Sequence, residues 1–241
     1  MAEANKKFVR HAFTSPKGVF VYPKLKDADT KFKSEGEYSV KLKLSADAPE
    51  TKALIAKLQP HYDSAIKSAT AEFAKLPVAS RKKLGKLSPN PFFSTVYDKE
   101  TEEPTGDIEF KFIMKASGEY KSGSKAGRKW TRKPTIFSAK GVALKDVPEI
   151  WGGTIGRISF EIKEGGYFIP GTGAAGLTLE LVAAQLITLR SGGEWSAKDH
   201  GFGEEEGYEG DTEEATEAGS DAPFDDESAA DANAGSEDGD F

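Results

Sequence analysis

Alternating hydrophobic and polar residues predict at least five β-strands before residue 190. The clearest run spans residues 38–44, where apolar side chains share one face and Lys41 and Lys43 occupy the other. A short apolar run at residues 19–22 predicts a strand before it. Three later runs with the same period of two complete the set, at residues 108–114, 158–162 and 177–189.

One helix is predicted between the second and third of these strands. Apolar residues recur there at helical spacing: Leu54, Leu58, Tyr62, Ala65, Ile66, Ala69 and Phe73. Asp47 is the predicted N-cap, with Pro49 in the first turn and Glu50 three positions on. Pro60 lacks an amide donor and crowds the preceding turn, so it predicts a kink or a division into two helices. Residues 77–91 then form a basic connector.

Five strands with one inserted helix predict a mainly β protein. Among small closed barrels the OB-fold is the nucleic-acid-binding example, so we predict an OB-fold-like five-stranded barrel with an inserted helix. The pattern disfavours a parallel α/β fold, because helices do not alternate with the strands.

The charges divide the chain into two parts. Residues 199–241 hold 17 of the 39 acidic residues and no Lys or Arg, so they carry a net charge of −17. Residues 1–198 carry all 33 basic side chains against 22 acidic ones, a net charge of +11. The Gly, Ala, Ser and acidic content of the second part cannot support a packed core. We predict an OB-fold nucleic-acid-binding domain at residues 1–198 and a disordered acidic C-terminal tail at residues 199–241.

Composition excludes several classes of protein. Cysteine is absent, so there is no disulfide, thiolate metal site or cysteine nucleophile. No apolar run approaches the roughly 18 residues that span a bilayer, and the N-terminus lacks the apolar stretch of a signal peptide. His11, His61 and His200 are scattered, and no hydrolase, P-loop or zinc-protease motif is present. We expect a soluble intracellular protein that is not an enzyme and uses no cofactor and no metal.

Residues 115–133, which we call the basic hairpin, combine dense positive charge with aromatic side chains. Only one acid, Glu119, accompanies the aromatic residues Tyr120 and Trp130. The basic residues are Lys115, Lys121, Lys125, Arg128, Lys129, Arg132 and Lys133. Cations neutralise successive phosphates, and aromatic faces stack on unpaired bases at about 1–3 kcal/mol per base. The segment is therefore predicted to bind single-stranded nucleic acid; a merely solvated hairpin is the structural alternative.

Other segments could contribute to the same interface. Tyr167 and Phe168 are adjacent in a stretch flanked by Gly and Pro, where one ring would face the core and the other the solvent. Further candidate phosphate clamps are Lys6, Lys7, Arg10, Lys41 and Lys43. Residues 171–176 match G-x-G-x-x-G, but strand periodicity follows them instead of the helix that dinucleotide binding requires. We interpret them as a flexible loop beside a binding groove.

The chain ends in Asp240 and Phe241, a compact anionic and apolar peptide. Such a peptide suits a basic pocket on a partner protein. The alternative is that the tail, like many acidic tails, only keeps the protein soluble.

The chain resembles the single-stranded DNA-binding proteins of tailed bacteriophages. The resemblance rests on residues 110–117, which include the candidate DNA-binding residue Lys111, on residues 146–153 and on the closing Gly-Asp-Phe. It implies an OB-fold protein that coats exposed strands during DNA replication, recombination and repair in the cytoplasm of the host cell. It also implies that the tail shields the DNA groove and that Phe241 contacts replication proteins such as DNA polymerase and helicase-primase. Tyr167 and Phe168 would lie near the groove.

The predicted function is sequence-independent binding of single-stranded DNA, with the tail competing for the same groove. An RNA chaperone or strand-annealing protein is the alternative, because stacking and phosphate capture do not separate DNA from RNA without a 2′-hydroxyl contact. A metal-dependent nuclease and an interaction-only scaffold are the remaining readings. The sequence leaves a homodimer open and predicts no membrane partner.

Overall fold

The structure, a computed structural model, describes residues 9–31 and 33–191. Within these residues the chain forms two helices, α1 (Pro49–Lys75) and α2 (Val78–Leu84). The same residues form thirteen strands: β1 (Arg10–Thr14), β2 (Gly18–Asp29), β3 (Glu37–Ser45), β4 (Ser88–Pro89), β5 (Ser94–Tyr97), β6 (Pro104–Lys115), β7 (Ser117–Glu119), β8 (Lys129–Thr131), β9 (Thr135–Phe137), β10 (Ile155–Lys163), β11 (Tyr167–Ile169), β12 (Ala174–Gly176) and β13 (Leu179–Thr188). The predicted tail, its boundary at residue 198 and four candidate site residues lie outside the described residues: Lys6, Lys7, Asp240 and Phe241.

Five strands close into a barrel in the order β2-β3-β6-β13-β10, with β10 pairing back to β2. Neighbouring strands are antiparallel except β6 and β13, which run parallel with Leu179 opposite Phe112. These are the five strands that the alternating pattern predicts. The mainly β, OB-fold-like barrel with an inserted helix is therefore confirmed.

Four phenylalanines fill the barrel. Phe20, Phe110, Phe112 and Phe160 are fully buried, and the ring centroids of Phe112 and Phe160 lie 4.9 Å apart. At the seam between β10 and β2, a Cβ on Gly156 would lie 2.5 Å from Cζ of Phe20. The absence of a side chain at position 156 therefore lets the Phe20 ring pack against the backbone where the barrel closes.

Helix α1 packs its apolar stripe on the barrel and continues through Pro60. The prediction that Pro60 divides the helix is wrong. Leu54 and Leu58 are buried before it and Ala65 and Ala69 after it, so packing on both sides offsets the lost hydrogen bond.

The start and surroundings of α1 also differ from prediction. Ala48, not Asp47, is the N-cap residue, and Asp47 instead pairs with Lys52 at 3.0 Å. The basic connector at residues 77–91 contains the short helix α2 and the two-residue strand β4. Neither helix in the described part of the chain is long and apolar enough to cross a membrane.

Smaller elements surround the barrel. β1 adds to the outer edge of β10, and β4, β11 and β12 form a three-stranded sheet beside α1. The G-x-G-x-x-G residues form a turn and β12, and strand β13 follows them, which agrees with the strand periodicity. β7 and β8 form the two arms of the basic hairpin.

Candidate nucleic-acid interface

The outer face of β3 and β6 carries the first candidate cations. Lys41 and Lys111 are direct neighbours across the two strands. The Nζ of Lys41 lies 2.7 Å from Glu109, whereas Lys111 is exposed and takes part in none of the ion pairs within residues 9–31 and 33–191. Of the two lysines, Lys111 is therefore the one whose charge no acidic side chain neutralises, so it can bind a phosphate. In OB-folds this face, between the second and third barrel strands, binds oligonucleotides.

Lys115 ends β6 and connects this face to the basic hairpin. Its Nζ lies 3.8 Å from Glu35, and both side chains are more than half exposed, so the pair is weak. Its strand neighbour Glu37 is paired with Lys33. A phosphate could replace Glu35 at Lys115 at little cost.

Backbone hydrogen bonds fix the base of the basic hairpin. The amide of Ala116 donates to Gly36 O at 2.9 Å, and the hydroxyl of Ser117 donates to Glu35 O at 2.7 Å. On the returning arm, Nε of Arg132 donates to Lys115 O at 2.8 Å. The hairpin is thus attached to the β2–β3 loop and forms its own two-stranded sheet directly after β6, the strand that carries Lys111.

The basic hairpin is exposed along most of its length, and most of its cations are not neutralised. Five of them take part in no ion pair within the described residues: Lys121, Lys125, Arg128, Lys129 and Lys133. Gly123 and Gly127 adopt positive φ angles of 79° and 80°, which form the tip and which other residues adopt only with strain. This arrangement places unpaired positive charge at the end of a fixed arm.

The two hairpin aromatics differ in their surroundings. Trp130 lies over Gly118, and the guanidinium of Arg132 sits 5.2 Å from its ring centroid. Tyr120 is 40% exposed, with the Nζ of Lys125 5.7 Å from its ring centroid. Each ring therefore has a cation beside it, a combination that suits a base and its phosphate.

Tyr167 and Phe168 lie on β11, in the connection between the fourth and fifth barrel strands. Both are half-buried. The Tyr167 hydroxyl accepts a hydrogen bond from Asn90 at 2.9 Å, and Phe168 packs edge-on against Phe73 of α1 with centroids 6.4 Å apart. The predicted division into one core ring and one solvent ring is not observed, because the three-stranded sheet gives both rings packing partners.

Arg10 lies on the edge strand β1, away from the basic hairpin in the strand order. Its guanidinium is bound by Glu161, at 3.0 Å, and by Glu180. Lys163 also binds Glu180, at 2.9 Å. Burial opposes the charged form of Glu180, but hydrogen bonds from Lys163 and Arg10 outweigh it and lower the pKa of this carboxyl group. The charge of Arg10 is therefore already neutralised within the protein.

Two of the exposed aromatics that the sequence-based site prediction misses lie together beside β2. Tyr22 is 74% exposed and Trp151 is 51% exposed, and both line one groove beside β2. The sequence offers a weak signal for each: a tyrosine before Pro23 at the end of an apolar run, and a tryptophan before two glycines.

A closed five-stranded barrel with this strand order, an unpaired lysine on its outer face and a basic aromatic hairpin belongs to the OB-fold class of oligonucleotide-binding barrels. Residues 14–189 match the family described as "Single-stranded DNA-binding protein, Bacteriophage T7". The chain belongs to this family.

Solved structures agree with the fold. The chain is similar to gp2.5, a single-stranded DNA-binding protein of bacteriophage T7, with 22% identity and a TM-score of 0.62 over 83% of this chain and 98% of that one. It is more distantly similar to the single-stranded DNA-binding protein of bacteriophage Enc34. The C-terminally truncated form of that protein matches at 14% identity and a TM-score of 0.45, over 75% of this chain and 87% of that one. The form in complex with single-stranded DNA matches at 12% identity and a TM-score of 0.44, over 75% and 88%. No curated protein sequence matches the chain.

Proposed function

We propose that this chain binds single-stranded DNA without sequence preference and coats exposed strands during phage DNA replication, recombination and repair. The observation that carries the proposal is the basic hairpin, in which unneutralised cations flank two aromatic rings, the exposed Tyr120 and the half-buried Trp130. The hairpin directly follows β6, one of the two strands whose outer face OB-folds use for oligonucleotides. Membership of the family supports DNA as the nucleic acid.

The proposed mechanism has two steps. Hairpin cations and Lys111 first attract the phosphates and displace their counterions, which makes affinity depend on salt. Unpaired bases then stack on Trp130 and Tyr120. Because stacking uses the flat face that every base has, binding does not select a sequence. No bond is made or broken, so the protein acts as a binding protein and not as an enzyme.

The proposal gives the C-terminal residues two roles. The acids at residues 199–241 compete with DNA for the cationic surface when no DNA is bound, because they carry a net charge of −17 against +11 for the rest of the chain. Asp240 and Phe241 recruit replication proteins such as DNA polymerase and helicase-primase. The protein would act in the cytoplasm of the host cell, where the replicating phage DNA lies.

The test is a binding titration with fluorescently labelled oligonucleotides of equal length. We expect fluorescence anisotropy to show tight binding of single-stranded DNA and much weaker binding of duplex DNA. A single-stranded RNA of the same sequence is the third ligand. Preference for RNA would favour the chaperone function, and binding of none of the three oligonucleotides would reject the proposal. Cleavage of the labelled strand in the presence of Mg²⁺ would indicate a nuclease instead.

A further inference from the structure

A second aromatic site lies on the other side of β3 from the basic hairpin, beside β2. A groove of about 370 Å³ runs between β2 and the segment that leads into β10, and we call it the aromatic groove. The residues that line it include Tyr22, Lys24, Lys26, Glu149 and Trp151. Its volume is within the range of small-ligand sites, which starts at about 300 Å³.

Tyr22 is held in an unusual conformation. Its φ angle is +48°, and it lies where the register between β2 and β3 shifts, between Val21 opposite Lys41 and Lys24 opposite Ser39. A bulky residue with positive φ costs free energy, and such residues cluster at ligand sites. Here the bulge turns the tyrosine ring outward, so that it is 74% exposed.

Trp151 has a fixed backbone and an accessible ring. Its amide donates to Arg190 O at 2.9 Å, and its carbonyl accepts from Thr154 at 3.2 Å. The next residues are tied to β2, since Gly153 donates to Phe20 O at 2.9 Å. Neither Trp151 nor Tyr22 contacts another aromatic ring within the described residues, and their side chains are 51% and 74% exposed, so neither ring is already stacked on an aromatic neighbour.

The charges of the aromatic groove limit the ligands that it can hold. Lys26 and Glu149 form an ion pair at 2.6 Å, and Asp27 adds a further negative charge. Lys24 is exposed and takes part in no ion pair within the described residues. A free anion gains little from this balanced surface. A flat, neutral heterocycle with one phosphate attached suits it better, with the ring on the aromatics and the phosphate at Lys24.

The aromatic groove also connects to the interface described above. Lys24 lies opposite Ser39 of β3, and Ser39 lies opposite Ile113 of β6, which is two residues from both Lys111 and Lys115. A DNA strand that runs from the basic hairpin across β6 and β3 would therefore reach β2 at Lys24.

We propose that the aromatic groove holds an unpaired base of bound single-stranded DNA against Tyr22 and Trp151, with the adjacent phosphate at Lys24. This inference rests on the proposed function. It extends the DNA path across three barrel strands, from the basic hairpin over β6 and β3 to the far side of β2.

The first test follows Trp151 directly. In the variant Trp130→Phe/Trp195→Phe, Trp151 is the remaining tryptophan of the chain. The variant is titrated with a labelled oligo(dT) until the anisotropy of the label shows that binding is saturated. We expect its emission to be quenched and its accessibility to acrylamide to fall. Saturation by anisotropy without any change at Trp151 would overturn the inference and leave the proposed function intact, whereas failure of the intact protein to bind would reject both.

The second test separates bases from phosphates. Trp151→Leu should weaken binding of oligo(dT) by about five-fold or more, the equivalent of at least one lost stacking contact. It should leave binding of an abasic strand of equal length unchanged, and Trp151→Phe should recover much of the loss. Val142→Ala, at another exposed apolar side chain outside the groove (64% exposed), is the matched control. An equal change for both ligands in Trp151→Leu, or no change for either, would contradict a base-binding groove.

Discussion

The indole of Trp130 lies against Gly118, its partner across the two arms of the basic hairpin. A Cβ at position 118 would come within 2.5 Å of Cζ2 of the ring. The missing side chain lets the indole lie close to the opposite strand, with Arg132 beside it. Gly118 thus determines how the hairpin presents its largest aromatic surface.

Gly118→Ala should displace this ring and weaken binding of single-stranded DNA. We expect a loss of about 1 kcal/mol, or roughly five-fold in Kd, because part of one stacking contact is lost. The melting temperature should change little, since no residue of the hairpin arms is buried in the core. Gly171→Ala is the control, because a Cβ there meets nothing within 4 Å. Equal affinities of the two variants, measured by anisotropy, would show that the position of the indole is unimportant.

The cations at the hairpin tip should determine the dependence of binding on salt. Replacing Lys125 or Arg128 with Gln should in each case make the negative slope of log K against log salt shallower by about 0.7, the value for one phosphate on a single strand. Lys75→Gln is the control, because Lys75 lies on α1 and is paired with Glu72 at 2.6 Å. Slopes that remain at the wild-type value in both hairpin variants would place the phosphates elsewhere.

Arg10 should stabilise the fold and not contact DNA. Arg10→Gln leaves Glu180, whose side chain is only 14% exposed, with Lys163 alone. We expect a loss of about 1 kcal/mol in the free energy of unfolding and a melting temperature lower by about 2–4 °C. The salt slope of DNA binding should not change. Lys52→Gln, which breaks a pair with the exposed Asp47, should leave both quantities unaltered. A reduced slope with an unchanged melting temperature would instead assign Arg10 to the DNA interface.

The barrel is predictable from sequence because its strands have one buried face. Val40 and Leu42 of β3 are buried and Lys41 and Lys43 lie outside, so the period of two survives in the fold. The length of a strand decides whether the alternating pattern can predict it. β4 and β12 are two and three residues long, too short for any period to appear.

The site was less predictable because it depends on residues that meet only in the fold. Arg10 has the same charge in sequence as Lys125, and only the pairing of β1 with β10 shows that Glu161 neutralises it. Trp151 and Tyr22 are 129 positions apart in the sequence. They line one groove because β10, which follows Trp151, pairs with β2, which contains Tyr22. No local pattern carries that information. The basic hairpin can be recognised as a segment of the chain because its residues are contiguous, and its role in DNA binding stays a prediction.

His61 should make the stability of the fold sensitive to mild acid. Burial, and then the nearby His11, lower the pKa of His61, while Glu164 opposes this in part. In the pH range between this lowered pKa and the ordinary value of about 6.5, the unfolded chain binds a proton that the folded chain does not. The stability that neutral His61 contributes is therefore complete above that range and is lost as the pH falls through it. We expect the melting temperature of His61→Gln to fall less than that of the wild type when the pH is lowered from 7.5 to 5.5. Parallel pH profiles of the two proteins would contradict this assignment.

Deleting residues 199–241 tests the competition between tail and DNA. The deletion removes 17 negative charges, and we expect tighter binding of single-stranded DNA. The gain should be largest at low salt, because the Debye length is about 30 Å at 0.01 M and only about 10 Å at 0.1 M.

Deletion of Phe241 alone is the matched control. It keeps all 17 acidic side chains, so DNA affinity should stay at the wild-type value while binding to the replication DNA polymerase is lost. Unchanged or weaker DNA binding by the long deletion would rule out competition. Tighter DNA binding by the single deletion would show that the aromatic residue, and not the bulk charge, occupies the DNA surface.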